Sequence, residues 1–223
     1  MTPKGKAGKI KVVFAFILLF GPALFLILIS TRGCEHKFKT LEDYGLAKNY
    51  QFTDSRGKVF TQENFKGEIV VVTVLQSSCP YDCSLSFWAL NHHIYQHIRK
   101  NNRKKMKQVK LISFITDGKG NTVTDLETIR QSIQNNVEDY NPDIWYIASG
   151  DVKSLYNFEH NKQKLLVEGD EYFGGQAFQE LMLLLDKQNH LRMVLSGKTE
   201  GMVRRMKEHI ALLQKQYDKE TAQ

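Results

Sequence analysis

The chain has 223 residues, 42% of them hydrophobic and 25% charged, with a formal net charge of +7. That composition excludes a disordered chain, and the length suits one domain of ordinary size plus a terminal segment. Three cysteines are too few for a disulfide scaffold, so Cys34 stands alone and only Cys79 and Cys83 form a local pair.

Residues 1–11 carry Lys4, Lys6, Lys9 and Lys11, and the next nineteen, 12–30, are uncharged. A run of that length approaches the ~20 residues of a membrane-spanning helix and exceeds the about 7–15 of a cleavable signal core. It reads as an uncleaved transmembrane anchor, with a signal peptide as the alternative. Gly33 before Cys34 raises lipidation as a further alternative, although Thr31 and Arg32 stand where small and aliphatic residues belong. The lysines before the span favour an N-terminus inside and a domain outside. In a bacterium this means a single-pass inner-membrane protein with its domain in the periplasm, where a dithiol can be oxidised. Residues 31–48 read as a juxtamembrane linker, 49–217 as the domain and 218–223 as a C-terminal tail.

Phe52 to Thr61 alternates around Arg56-Gly57 and predicts a hairpin. "QENFKG" predicts a short helical turn. Ile69 to Leu75, "IVVVTVL", is a continuous apolar, β-branched run, the signature of a strand buried on both faces. After the cysteines, Phe87, Leu90, Ile94 and Ile98 step at helical spacing, which predicts a helix from about Cys83 to Lys100. Val109 to Thr116 is a second buried strand. Thr124, with Glu127 three residues on, predicts a capping box opening the next helix. Ile144 to Gly150 is a third strand and 151–158 a short helix. Leu181 to Asp186 and Leu191 to Gly197 flank "KQNH" as an antiparallel hairpin. Val203, Met206, Ile210, Leu213 and Tyr217 line one face of a closing helix that begins near Thr199. Alternating βα units followed by a hairpin and a helix predict an α/β, thioredoxin-like fold: an N-terminal hairpin and a central mixed sheet flanked by helices.

The basic run 99–110, "RKNNRKKMKQVK", supplies much of the positive charge. It follows a helix, where cations are favourable, and reads as a solvated helix end, with anionic lipid as the next contact. Nucleic acid is excluded as a partner for an exported domain.

The chemistry is expected at "SSCPYDC", Ser77 to Cys83, between the first buried strand and the helix. Free N–H groups at a helix start stabilise a thiolate, the form that reacts and binds metal. Four residues make about one helical turn, so both sulfurs can face one point. Two converging thiolates suit Cu(I) or close a disulfide. Two buried structural cysteines are the plainer alternative.

Gln76-Ser77-Ser78-Cys79-Pro80-Tyr81-Asp82-Cys83-Ser84, the approach Phe52 to Val72, and Asp117 after the second strand resemble the Sco/SenC family. These are membrane-anchored, thioredoxin-fold factors linked to copper delivery in cytochrome oxidase assembly. The resemblance runs from about Phe52 to the closing helix. It implies Cu(I) on Cys79 and Cys83, a copper-receiving oxidase subunit as partner, and a histidine as third ligand. That histidine aligns near Phe178, and 174–186, "GGQAFQELMLLLD", contains none. His160 is the one substitute left open. His190 lies at the wrong end of its strand, and His92, His93, His97, His209 and His36 read as solvated or packing residues. Asp82, Asp170 and Glu171 are harder donors and poorer partners for Cu(I). The prolines are Pro3, Pro22, Pro80 and Pro142, so none can serve as the cis-proline of an ordinary thioredoxin. Three readings stay open: copper handling or electron transfer in oxidase assembly, copper-independent thiol–disulfide exchange with a periplasmic thiol protein, and a non-catalytic assembly module.

Overall fold

The computed structural model describes residues 6–32, 40–77, 87–100, 108–117, 120–160, 163–164 and 177–220. The chain divides into two units, Met1–Lys39 and Thr40–Gln223.

The first unit is one helix, α1, Lys6–Arg32, with Pro22 inside it. Its described side chains run from 14 to 29 and are nearly all exposed, Phe14, Leu18 and Leu19 among them. Among the described residues no helix is long and apolar enough to cross a membrane. The anchor expected over 12–30 therefore rests on the sequence.

The second unit is built on seven strands: β1 Gln51–Asp54, β2 Val59–Thr61, β3 Ile69–Gln76, β4 Val109–Thr116, β5 Trp145–Gly150, and, after a two-stranded hairpin elsewhere, β8 Leu181–Leu185 and β9 Leu191–Ser196. Their order is β2-β1-β5-β4-β3-β8-β9. β3 runs parallel to β4, and β4 to β5; the other pairings are antiparallel. This is the expected mixed sheet. The apolar run of β3 is central for the reason its composition gave: Val71 and Val72 face opposite sides and both are fully buried.

Helices cover both faces. On one lie a π-helical segment, Leu90–Tyr95, its continuation α2, Gln96–Lys100, then α3, Glu127–Asn136, and α5, Glu200–Glu220. Leu90, Ile94, Ile98, Ile133, Val203, Met206, Ile210 and Leu213 bury against Val71, Leu111 and Ile147. On the other lie α4, Val152–Tyr156, and a 3-10 turn, Gln62–Phe65. There Phe52, Phe65, Val72, Phe114, Tyr156 and Phe178 form the core. β6, Glu159–His160, and β7, Gln163–Lys164, make a separate small hairpin that the sequence pattern did not suggest.

Local chemistry explains the turns. Asp54 accepts from the N–H groups of Arg56 and Lys58, and Gly57 takes φ 78° at the hairpin tip. The expected N-cap at Thr124 is not formed. Asp125 instead accepts from the Glu127 N–H at 3.0 Å, and helix α3 starts at Glu127 with Leu126 before it. Glu127 points along its helix to Arg130 and Gln131, so its carboxylate does not reach back. Residues 40–48, expected as linker, pack on the domain. Leu41 and Ala47 are buried, the Tyr44 N–H donates to Leu191 O, and the Ala47 N–H donates to Asn189 O.

Candidate functional site

The site is approached along β3. Its last residues pair in register with β4, Leu75 with Ile115 and Gln76 with Thr116, and the Ser77 N–H donates to Thr116 O at 2.8 Å. The next residues, 78–86, lie outside the described ones; Cys79 and Cys83 are among them, as is Cys34 further back. Helical structure is present from Phe87.

The helix beyond the cysteines is keyed to the sheet by aromatic stacking. Phe87 stacks on Trp145 with ring centroids 5.5 Å apart. The Trp145 Nε1–H donates to Ser113 Oγ at 2.8 Å, and Ser113 Oγ shares a 2.7 Å bond with Thr73 Oγ1. These polar atoms sit in the middle of the first core, and each has its partner, the condition for burying them without loss. A π-helical turn follows, a feature that recurs near functional sites. Trp88 lies at its start, exposed and stacked flat on His92 at 4.9 Å.

Two turns from elsewhere in the chain meet the end of β3. Asp117, just past β4, accepts from both the Asn121 N–H and the Asn121 side-chain amide. This closes a tight turn through Gly120, which takes φ 76°. The second is a 3-10 turn, Ala177–Glu180, leading into β8. Because β8 runs antiparallel to β3, with Leu185 opposite Val70 and Leu183 opposite Val72, this turn lies beside the end of β3 where the cysteine segment departs. Phe178 is 6% exposed, and its ring meets Tyr156 edge-on at 5.8 Å. Tyr156 is wholly buried, donates to Leu181 O at 2.8 Å, and has its hydroxyl pKa pushed far up by burial. The position where the resemblance puts a histidine ligand is therefore filled by a packed aromatic ring. Gln179, which sequence reasoning passed over, is also 6% exposed. It accepts a hydrogen bond from the Gln76 amide and donates to Asp117 O at 3.5 Å. The available signal was one amide at the head of the all-apolar strand "LMLLL".

The remaining described histidines have other surroundings. His190 lies in the β8–β9 turn, at the opposite end of the sheet, where its Nδ1 meets the Asp43 carboxylate at 2.8 Å. His93 pairs with Glu200 at 2.8 Å, and His209 bonds its own helix at Arg205 O. Burial, then the nearby Lys207, hold the His97 pKa below its ordinary value. His160 is paired through its backbone with Gln163 in the small hairpin. His36, Asp82, Asp170 and Glu171 lie outside the described residues. Among the described residues no group of three or more His, Cys, Asp or Glu side chains could hold a metal ion.

The sheet order and the helix covering match known folds. A solved structure of a SCO1/SenC family lipoprotein from Bacillus anthracis superposes with a TM-score of 0.50 at 18% identity, over 76% of this chain and 95% of that one. BsSco, a member of the Sco family of cytochrome c oxidase assembly proteins in which a disulfide switch was identified, gives 0.53 at 12% identity, over 79% and 98%. A putative protein disulfide isomerase from Bacteroides thetaiotaomicron gives 0.51 at 15% identity, over 79% and 95%. At these identities the likeness shows the thioredoxin-like fold alone. No curated protein matches the sequence. The SCO1/SenC family model, however, matches residues 39–211, from the start of the packed domain into its closing helix, and the chain belongs to that family.

Proposed function

We propose that this chain is a membrane-anchored factor for respiratory oxidase assembly that carries electrons through Cys79 and Cys83. Its partner is a copper-receiving oxidase subunit or another periplasmic thiol protein. Family membership supports the copper and redox setting. The observation that favours thiol exchange over a three-ligand metal centre is Phe178, a buried ring where the third donor aligns. Anchorage by residues 12–30, with the domain in the periplasm, rests on the uncharged run and the lysines before it.

The Cys79 thiolate attacks one sulfur of the partner's disulfide. A Cys79–partner S–S bond forms, the partner's S–S bond breaks, and its second sulfur leaves as a thiolate that takes a proton. The Cys83 thiolate then attacks the Cys79 sulfur. A Cys79–Cys83 disulfide forms and the partner's first sulfur leaves as a thiol. Two electrons and two protons pass to the partner, and a periplasmic dithiol donor restores the pair. The sequence predicts a helix start beside Cys79, whose free N–H groups would supply thiolate at neutral pH.

A second reading keeps copper as cargo. Two thiolates can hold Cu(I) linearly, so Cys79 and Cys83 would carry the ion without a third donor. Family membership is what favours this reading.

Reduced full-length protein mixed with a disulfide-bonded two-cysteine peptide tests the first reading. Oxidation of the pair, together with a mixed disulfide trapped in Cys83→Ser, is expected. A pair that stays reduced against every disulfide offered overturns it. One equivalent of Cu(I) tests the second reading. A thiolate–copper absorption that is lost in Cys79→Ser supports it, and no absorption removes it.

A further inference from the structure

Gln76, Thr116, Asp117 and Gln179 bring polar groups together at the end of β3, three residues before Cys79. Strand alternation sends Gln76 and Thr116 to the same face as Val74 and Phe114, the face that carries Phe178. Thr116 is fully buried, and among the described residues its hydroxyl has no hydrogen-bond partner. Gln179 is nine-tenths buried, and its amide reaches two segments at once. Its Oε1 accepts a hydrogen bond from the Gln76 amide, and its Nε2 donates to the carbonyl of Asp117. A buried amide left unpaired costs about 1–3 kcal/mol, so this bridge holds the end of β3, the turn after β4 and the turn before β8 in fixed relation. The turn after β4 is shaped to receive it: a Cβ on Gly120 would fall 2.5 Å from Phe178 Cζ and 2.8 Å from Gln179 Nε2.

We propose that Gln179 is a positioning residue for the thiol pair, acting through Gln76 to fix the direction in which the chain leaves β3 toward Cys79. The proposal rests on the thiol chemistry above. The sequence predicts a helix start beside Cys79, and free N–H groups there would stabilise its thiolate to a degree set by the direction of exit. Releasing Gln76 lets the exit wander, which weakens the thiolate. Gln179 itself exchanges no proton or electron with the sulfurs.

The test is the pH profile of Cys79 alkylation by iodoacetamide. It is read by peptide mapping on the full chain in a Cys83→Ser background, so that Cys34 is scored separately. Gln179→Met keeps the length of the side chain and removes both bonds. It is expected to raise the apparent pKa of Cys79 by about half a unit and to slow alkylation at pH 7 about threefold. Gln76→Met, which keeps Gln179 and its Asp117 bond, is expected to move the profile the same way and to guard against misfolding of the first variant. The double variant is expected to go no further than either single one. A Gln179→Met profile identical to the parent, with only a lower melting temperature, overturns the proposal. So do fully additive shifts. Failure of the thiol-exchange reading looks different: the unsubstituted pair then forms no reversible disulfide, whatever the alkylation profiles show.

Discussion

Where β3 begins, an ion pair closes the sheet; where β3 stops, neutral amides do. At the first end Arg192 meets Asp186 at 3.1 Å, the two being 9% and 2% exposed, and its other nitrogens reach the carbonyls of Leu41 and Glu42. The Asp186 carboxylate also accepts the N–H groups of Gln188 and His190. At the second end Gln179 ties Gln76 to the turn at Asp117, and among the described residues the Thr116 hydroxyl has no partner. The difference teaches a division of labour. A buried ion pair is rigid and, once broken, costly. Amide bridges hold nearly as well and add no charge to the Asp117 carboxylate already at that end.

The largest expected effect breaks the first end. Arg192→Met leaves a buried carboxylate without its cation and two carbonyls without their donor, and is expected to cost about 3–5 kcal/mol in urea unfolding. The reduction potential of the thiol pair should not move. A loss below about 1 kcal/mol would show that this pair does not close the sheet. The middle effect is at the second end. Gly120→Ala forces a side chain into the left-handed region and against Phe178, and is expected to cost about 1–3 kcal/mol. Though smaller in stability, it should shift Cys79 alkylation in the same direction as Gln179→Met. If Arg192→Met shifts the thiols and Gly120→Ala does not, the two ends have been assigned the wrong way round.

The two ends were unequally legible in the sequence. The β3 run declared a strand buried on both faces, and the spacing of Val203, Met206, Ile210 and Leu213 declared the buried stripe of α5, because both signals are local and periodic. The aspartate after the first strand of the last hairpin and the missing histidine at Phe178 were also visible, since each is a residue at a position. What stayed hidden depends on contacts distant in the chain. Leu41 packs 151 residues from Arg192, whose Nη2 donates to its carbonyl, so 40–48 looked like linker. Arg56 bonds Asp143 across 87 residues and holds the first hairpin against the β5 side of the sheet, a pairing that no pattern of alternation could name. The π-helical turn at Leu90–Tyr95 left Leu90, Ile94 and Ile98 at ordinary helical steps, so the spacing could not reveal it. Thr124 misled because Asp125 beside it is the stronger competitor for the free N–H of Glu127. Gln179 was hidden because a lone amide beside an apolar strand carries no periodic signal, and its link to Gln76 spans 103 residues.

The smallest expected effect returns to the first end and concerns a pair at its rim. Burial pushes the Asp43 carboxyl up, but the Gly45 N–H, the His190 ring and the charge of Arg192 outweigh it, and the net shift is below the ordinary value of 3.8. A carboxyl depressed in the folded state stabilises the fold above its unfolded value, and that stability is lost as pH falls through the folded one. The Asp43 side chain is 47% exposed, so solvent screening limits the contribution to a few tenths of a kcal/mol. Asp43→Asn is therefore expected to lower stability slightly at pH 7 and to soften the fall in melting temperature below about pH 4. It should leave the alkylation profile of Cys79 untouched, since nothing at the rim touches the amide bridge. A profile that moved with Asp43 would mean that the two ends of the sheet communicate, and the division between them would fail at its weakest member first.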